Sequence, residues 1–179
     1  AGRSSGNWST ARRRSGRKTG GSGLGSAVVA PRALADGDND VAPTEGAYNM
    51  PVRVGINGFG RIGRSFYRAI LARGEQAGVE LVAVNDPFGD AHTMAFLLKH
   101  DSVGGTISNE VKETDSGFSV DGREIKKLEV REPGEIPWRE YGVDIVIEST
   151  GMFTAREKAG AHLNGGAKRV IISGPSGDA

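Results

Sequence analysis

The chain has no cysteine among its 179 residues, which excludes a disulfide scaffold, a thiolate metal site and thiol catalysis by any residue present. It has no long hydrophobic run either. The most apolar stretches, Val143 to Ile147 and Val170 to Ile172, fall far short of the ~20 residues a membrane span requires, so no membrane partner is expected. Net charge is nearly absent as well: 23 Lys and Arg stand against 22 Asp and Glu, so whole-molecule electrostatics argue neither for a polyanionic partner nor for an acidic substrate. The length suits one ordinary domain with a tail.

Acidic residues are missing from the first 35 positions, where Arg12-Arg13-Arg14 and Arg17-Lys18 sit among Gly and Ser. Residues 1–50 show no helical or strand periodicity, and so little apolar surface cannot offset the entropy of ordering, so a disordered leader is expected. Two readings of residues 1–49 stand side by side. Basic, Ser-rich and acid-poor is the composition of an organellar transit peptide; equally, Met50 stands directly before the first strand pattern and could mark the start of the protein proper. A nucleic-acid-binding arm is the weaker third reading, because only Trp8 is at hand for stacking.

Over 51–179 the pattern changes to apolar strands alternating with amphipathic helices. Val52–Asn57 reads as a strand. Arg61–Arg73 reads as a helix, with Ile62, Phe66, Ala69 and Ile70 along its length and Gly74 ending it in a left-handed conformation. Val79–Asn85 is a second strand and Ala91–His100 a second helix capped by Asp90. Short polar strands between Thr106 and Val130, with an Asp121-Gly122 turn, indicate an antiparallel excursion. Val143–Glu148 is a buried-type strand. Thr154 and Glu157 form a capping box for a third helix that ends at Asn164-Gly165, and Arg169–Ser173 is the last strand. The fold class that follows is α/β: a Rossmann-type doubly wound parallel sheet with a short antiparallel excursion.

The chemistry-bearing motif is Gly58-Phe59-Gly60-Arg61-Ile62-Gly63, a GxGxxG between a strand and a helix. Its first Gly permits the tight turn, its second lets the backbone approach a pyrophosphate, and its third allows close helix–strand packing. Free N–H groups near Arg61 and Ile62, with the positive end of the helix, favour phosphate. Asp86 ends the second strand 23 residues past Gly63, where an acid holds the ribose hydroxyls and repels a 2′-phosphate, so NAD is expected over NADP. Phe59 packs either near the cofactor or within the domain. Trp138 reads as core or interface packing, and His92, His100 and His162 lack metal-ligand spacing and are assigned to helix surfaces.

The run Val52-Arg53-Val54-Gly55-Ile56-Asn57-Gly58-Phe59-Gly60-Arg61-Ile62-Gly63-Arg64 resembles the opening of glyceraldehyde-3-phosphate dehydrogenases. Val84-Asn85-Asp86-Pro87-Phe88, Lys99-His100-Asp101-Ser102, Glu148-Ser149-Thr150-Gly151 and Gly166-Ala167-Lys168-Arg169-Val170-Ile171-Ile172-Ser173 agree in the same order. The resemblance implies pyrophosphate at the Arg61-Ile62 backbone and adenosine ribose at Asp86. It adds Arg131 and Ser173 as NAD-binding positions and puts Thr150-Gly151 beside the cofactor. Pro87 resembles the NAD-specific forms. Without the resemblance, Arg131 is equally a solvated surface charge and Ser173 a strand-end residue.

That family oxidises an aldehyde by thiol attack, hydride transfer to NAD and phosphorolysis of the thioester, so the resemblance implies glyceraldehyde 3-phosphate as substrate and 1,3-bisphosphoglycerate as product. The family's Ser-Cys-Thr-Thr-Asn-Cys motif is expected beyond Ala179, and no catalytic residue is assigned here. The 179 residues alone are expected to bind NAD without turnover, and to be marginal or aggregation-prone where surface meant for the rest of the enzyme is bare. The full-length protein is expected to be a cytoplasmic homotetramer, organellar if the leader is a transit peptide. Alternatives are an erythrose-4-phosphate dehydrogenase and a non-catalytic module binding NAD or RNA.

Overall fold

The computed structural model describes residues 50–178 and the backbone of a short strand at Ala27–Val29. The rest of the leader, including its Arg cluster and Trp8, lies outside the described residues. The strand itself was not expected from so polar a segment.

In chain order the elements are β1 (Ala27–Val29), β2 (Val52–Asn57), α1 (Arg61–Arg73), β3 (Val79–Asn85), α2 (Ala91–Lys99), β4 (His100–Asp101), β5 (Gly105–Thr106), β6 (Val111–Thr114), β7 (Gly117–Val120), β8 (Arg123–Leu128), β9 (Ile145–Glu148), α3 (Arg156–Gly160) and β10 (Arg169–Ile172). Eight strands form one sheet in the order β1-β10-β9-β2-β3-β8-β7-β6, and β4 pairs with β5 separately. The five central strands, β10-β9-β2-β3-β8, are mutually parallel. The chain first builds outward from β2 through β3 to β8, then returns to the other side of β2 for β9 and β10. This reversal makes the fold doubly wound and opens a crevice at the carboxyl ends of β2 and β9.

The apolar runs form strands because both faces of the sheet are covered. On one face Val54, Ile56, Leu81, Val84 and Ile147 pack under α1 and α2. On the other, Val146, Val170 and Ile172 pack against Trp138, Ala159 and Ala167. Gly55 leaves room on this second face: a Cβ there would stand 2.6 Å from the Trp138 ring. Each fully buried Ile, Leu or Phe contributes about 1.5–3 kcal/mol, so these two layers supply the main drive for folding. The antiparallel excursion rejoins the sheet at β8, which is antiparallel to β7 and parallel to β3. Its turn at Asp121-Gly122 takes positive φ at both residues, the requirement of a tight two-residue hairpin.

Four local expectations need correction. The buried face of α1 is Gly63, Phe66, Tyr67, Ile70 and Leu71, whereas Ile62 is 53% exposed. Periodicity alone admits either register, and contact with the sheet selects one. Gly74 has φ 55 but ψ −139, and the left-handed residue is Gly78, after a 3-10 turn over Gly74–Ala77. The Thr154–Glu157 capping box does not form. Helix α3 starts at Arg156 without a cap from its N-cap side chain, and Asp178 Oδ1 accepts the Arg156 N–H at 3.0 Å instead. Finally, His162 is not on a surface; it is fully buried.

Candidate functional site

The glycine loop shows why two of its three glycines, Gly58 and Gly63, are required. Gly58 turns at φ +87, and a Cβ on it would lie 2.7 Å from the Thr150 backbone nitrogen. Gly63 is pressed between α1 and the sheet, where a Cβ would meet Gly58 O, Ile56 and Ser149. Gly60 is the opposite case: a Cβ there would meet nothing within 4 Å. The loop is thus tight where chain meets chain and open where α1 begins. Helix α1 has no side-chain cap and no acidic residue in its first turn, so its first N–H groups and its positive end remain available to an anion.

A groove of about 400 Å³ runs over this loop, lined among others by Gly58, Gly60, Asp86, Phe88, Arg131 and Thr150. Asp86 is part of this lining. Its carboxylate accepts from Phe59 N and from Phe88 N, both at 3.0 Å, and so ties the end of β3 to the glycine loop. The Arg131 guanidinium carbon lies 5.4 Å from the centroid of the Phe88 ring, and that ring is 75% exposed. Below the groove Arg64 Nη1 donates to Phe59 O at 2.8 Å; burial first, and the nearby Arg61 charge second, pull its pKa below the ordinary value.

Of the expected residues, the structure brings Gly58, Gly60, Asp86, Arg131 and Thr150 into one groove. Arg61 and Ile62 stand beside it at the exposed start of α1, Arg61 within 3.9 Å of Asp101. The Phe59 side chain turns away into the core, stacked on Phe118 at 5.4 Å, so only its backbone serves the loop. Gly151 has φ +74 and follows Thr150 at the groove's edge. Ser173 is exposed just past β10, its N–H donated to Glu148 O at 2.9 Å; it is not among the groove-lining residues.

Residues 52–156, more than half of the chain, match the family described as glyceraldehyde 3-phosphate dehydrogenase, NAD binding domain. The chain belongs to the glyceraldehyde-3-phosphate dehydrogenase family. It is 55% identical over 130 residues to the glyceraldehyde-3-phosphate dehydrogenase of Coccidioides immitis, an overlap that covers 73% of this chain and 38% of that protein. The Streptomyces coelicolor enzyme is also 55% identical, over 129 residues (72% and 38%), and that of Aspergillus niger 49% over 130 (73% and 38%). The chain therefore spans less than two-fifths of the length of these relatives, and the part it spans is the family's NAD-binding domain. The groove suits that cofactor: an open floor at Gly60, an uncapped helix end for the phosphates and a carboxylate at the end of β3.

Sequence reasoning about this dehydrogenase domain missed a polar network beneath the groove. Asn57, Asn85 and Glu148 end β2, β3 and β9 at the same level, Asn57 in register with both others. All three are buried. Asn85 clamps the residue before Arg131 twice, donating to Val130 O and accepting from Val130 N, each at 2.8 Å. Asn57 accepts from Asn85 Nδ2 at 2.7 Å and donates to Glu148 Oε2 at 2.6 Å. The available signal was a polar residue closing each apolar run, in VRVGIN, VELVAVN and IVIE.

Proposed function

We propose that this chain is the cofactor-holding part of a phosphorylating glyceraldehyde-3-phosphate dehydrogenase, in which glyceraldehyde 3-phosphate is oxidised to 1,3-bisphosphoglycerate. When bound, NAD supplies the hydride acceptor. The observation that carries the reading is the contrast within the glycine loop: space is left only at Gly60, directly before the uncapped start of α1, and Asp86 stands at the end of the neighbouring strand. Backbone N–H groups at Arg61 and Ile62 hold the pyrophosphate and Asp86 accepts from the adenosine ribose. Arg131 closes over the adenosine side beside Phe88, while Thr150, Gly151 and Ser173 border the nicotinamide side.

No residue of this sequence is a thiol, so the nucleophile of such a reaction lies outside these 179 residues, which bind NAD without turning over substrate. The complete enzyme is a cytoplasmic homotetramer in this reading. Calorimetric titration of the chain with NAD and NADP tests the cofactor assignment. NAD is expected to bind at least about tenfold more tightly, since Asp86 opposes a 2′-phosphate; equal or tighter NADP binding would overturn the role of Asp86.

A further inference from the structure

Glu148 and His162 are both buried and outside the groove lining, yet the geometry gives them a part in ligand binding. The Trp138 indole Nε1 lies 3.1 Å from His162 Nδ1, and because an indole only donates, Nδ1 must accept. The ring proton is therefore on Nε2, 2.9 Å from Glu148 Oε2. With Asn57 Nδ2 on the same oxygen, the Oε2 side of Glu148 is filled. Its other oxygen accepts from the Thr150 backbone N–H at 2.8 Å and from Thr150 Oγ at 2.5 Å. Four donors surround one carboxylate, two from the core and two from the groove wall.

We propose that Glu148, oriented by His162, is a positioning residue that sets the Thr150 wall of the groove for the nicotinamide half of NAD. The proposal rests on the NAD-binding reading above. In a doubly wound sheet the dinucleotide crosses the switch point. With the adenosine half at Asp86, directly after β3, the nicotinamide half lies toward β9, which ends in Glu148 and is followed by Ser149 and Thr150. The Thr150 hydroxyl proton is committed to Glu148 and one lone pair accepts from Met152 N at 3.0 Å, so Thr150 offers a bound ligand an acceptor in a fixed direction. The carboxylate cannot be replaced by its amide. In Glu148→Gln one orientation points the amide NH2 at Asn57 and His162, and the other points it at the Thr150 donors. Moving the imidazole proton to Nδ1 would only set it against the Trp138 N–H.

Calorimetric titration of the 179-residue chain with NAD and with AMP, which carries the adenosine half alone, tests this. Glu148→Gln is expected to weaken NAD about tenfold while AMP stays within about twofold. Thr150→Val, which keeps the side-chain shape and leaves the core intact, is expected to give the same selective loss, and the double variant no further loss, because both remove one interaction. A merely structural role would lower the melting temperature of Glu148→Gln and leave the NAD-to-AMP affinity ratio unchanged. That unchanged ratio would overturn the proposal. If Glu148→Gln does not fold, Thr150→Val decides alone: a wild-type ratio overturns the proposal. Wild-type binding of AMP but no tighter binding of NAD would also refute it, whereas wild-type binding of neither would refute the NAD-binding reading itself.

Discussion

The parallel strands of this domain end in two unlike rims. At the carboxyl rim, Asn57, Asn85 and Glu148 are buried and their side chains are bonded to one another or to His162, Val130 and Thr150. At the amino rim the polar groups are partly solvated ion pairs. Arg53 meets Glu80 at 3.7 Å, and Asp144 accepts from Lys168 Nζ at 2.6 Å and from Arg53 N at 3.1 Å. The larger cavity, about 620 Å³, is at the amino rim, between the far end of α1 and the starts of β2 and β3. The groove proposed for the cofactor is the smaller one. What sets the proposed site apart is not size but a floor of satisfied buried polar groups, because a group taken out of water must be paired, and pairing fixes the direction in which the groove wall points.

If that contrast is right, damage at the two rims should differ in kind. The largest effect is expected from His162→Leu, which removes one of the two core donors to the Glu148 carboxylate and leaves the Trp138 N–H without its acceptor. Losing a hydrogen bond to a buried carboxylate costs about 1.5–3 kcal/mol and leaving the buried indole N–H unpaired about 1–3 kcal/mol more, measurable by urea denaturation. A loss below about 1 kcal/mol would erase the distinction between the rims.

Within the carboxyl rim, Gly60→Ala should separate binding from folding. A Cβ there touches no protein atom, so stability is expected to fall by no more than about 1 kcal/mol. NAD affinity is expected to drop at least about tenfold, because the methyl group occupies the approach to the helix end. Thermal melts and calorimetry on one sample give both numbers, and unchanged affinity would dismiss Gly60 as the floor. Asp86→Asn keeps the shape and removes the charge; the NAD-over-NADP preference is expected to narrow by about tenfold, read by titrating both nucleotides.

The smallest effects belong to the amino rim. Lys168→Ala is expected to cost less than about 1 kcal/mol, and less still at high salt, since the lysine is largely exposed. The same contacts set a pH dependence. The Lys168 ammonium first, then the Arg53 N–H, hold the Asp144 carboxyl below its ordinary value of 3.8. A depressed folded-state pKa contributes stability that is present above the unfolded value and lost as pH falls through the folded one. Wild type should therefore lose this contribution below about pH 4. In Lys168→Ala it should be smaller, which denaturation curves at pH 3 and pH 6 would reveal.

Much of this fold was legible because its signals are local. The bounds of β2 (Val52–Asn57), α1 (Arg61–Arg73) and β3 (Val79–Asn85) agree with the apolar runs that suggested them, and Asp90 caps α2 through Thr93 N at 2.6 Å. Two positions of the glycine loop were equally legible, since the tight turn at Gly58 and the close helix–strand packing at Gly63 each demand glycine. Less legible was which side of a short element would face inward. Phe59 went into the core, Ile62 stayed out, and Asp178 took over the capping expected of Thr154.

The amino-acid sequence is sufficient for the doubly wound alternation, for the family and for the cofactor its domain holds, because strand length, helical period and turn chemistry are decided by neighbours a few residues apart. The buried floor is a different matter. Asn57 and Glu148 are 91 residues apart, and Asn57 and His162 are 105 apart. They meet only because β9 returns to the unoccupied side of β2 and the segment after α3 folds back over that face. A polar side chain acquires its partner, its proton position and its purpose from this long-range pairing, and no local pattern in the chain records it.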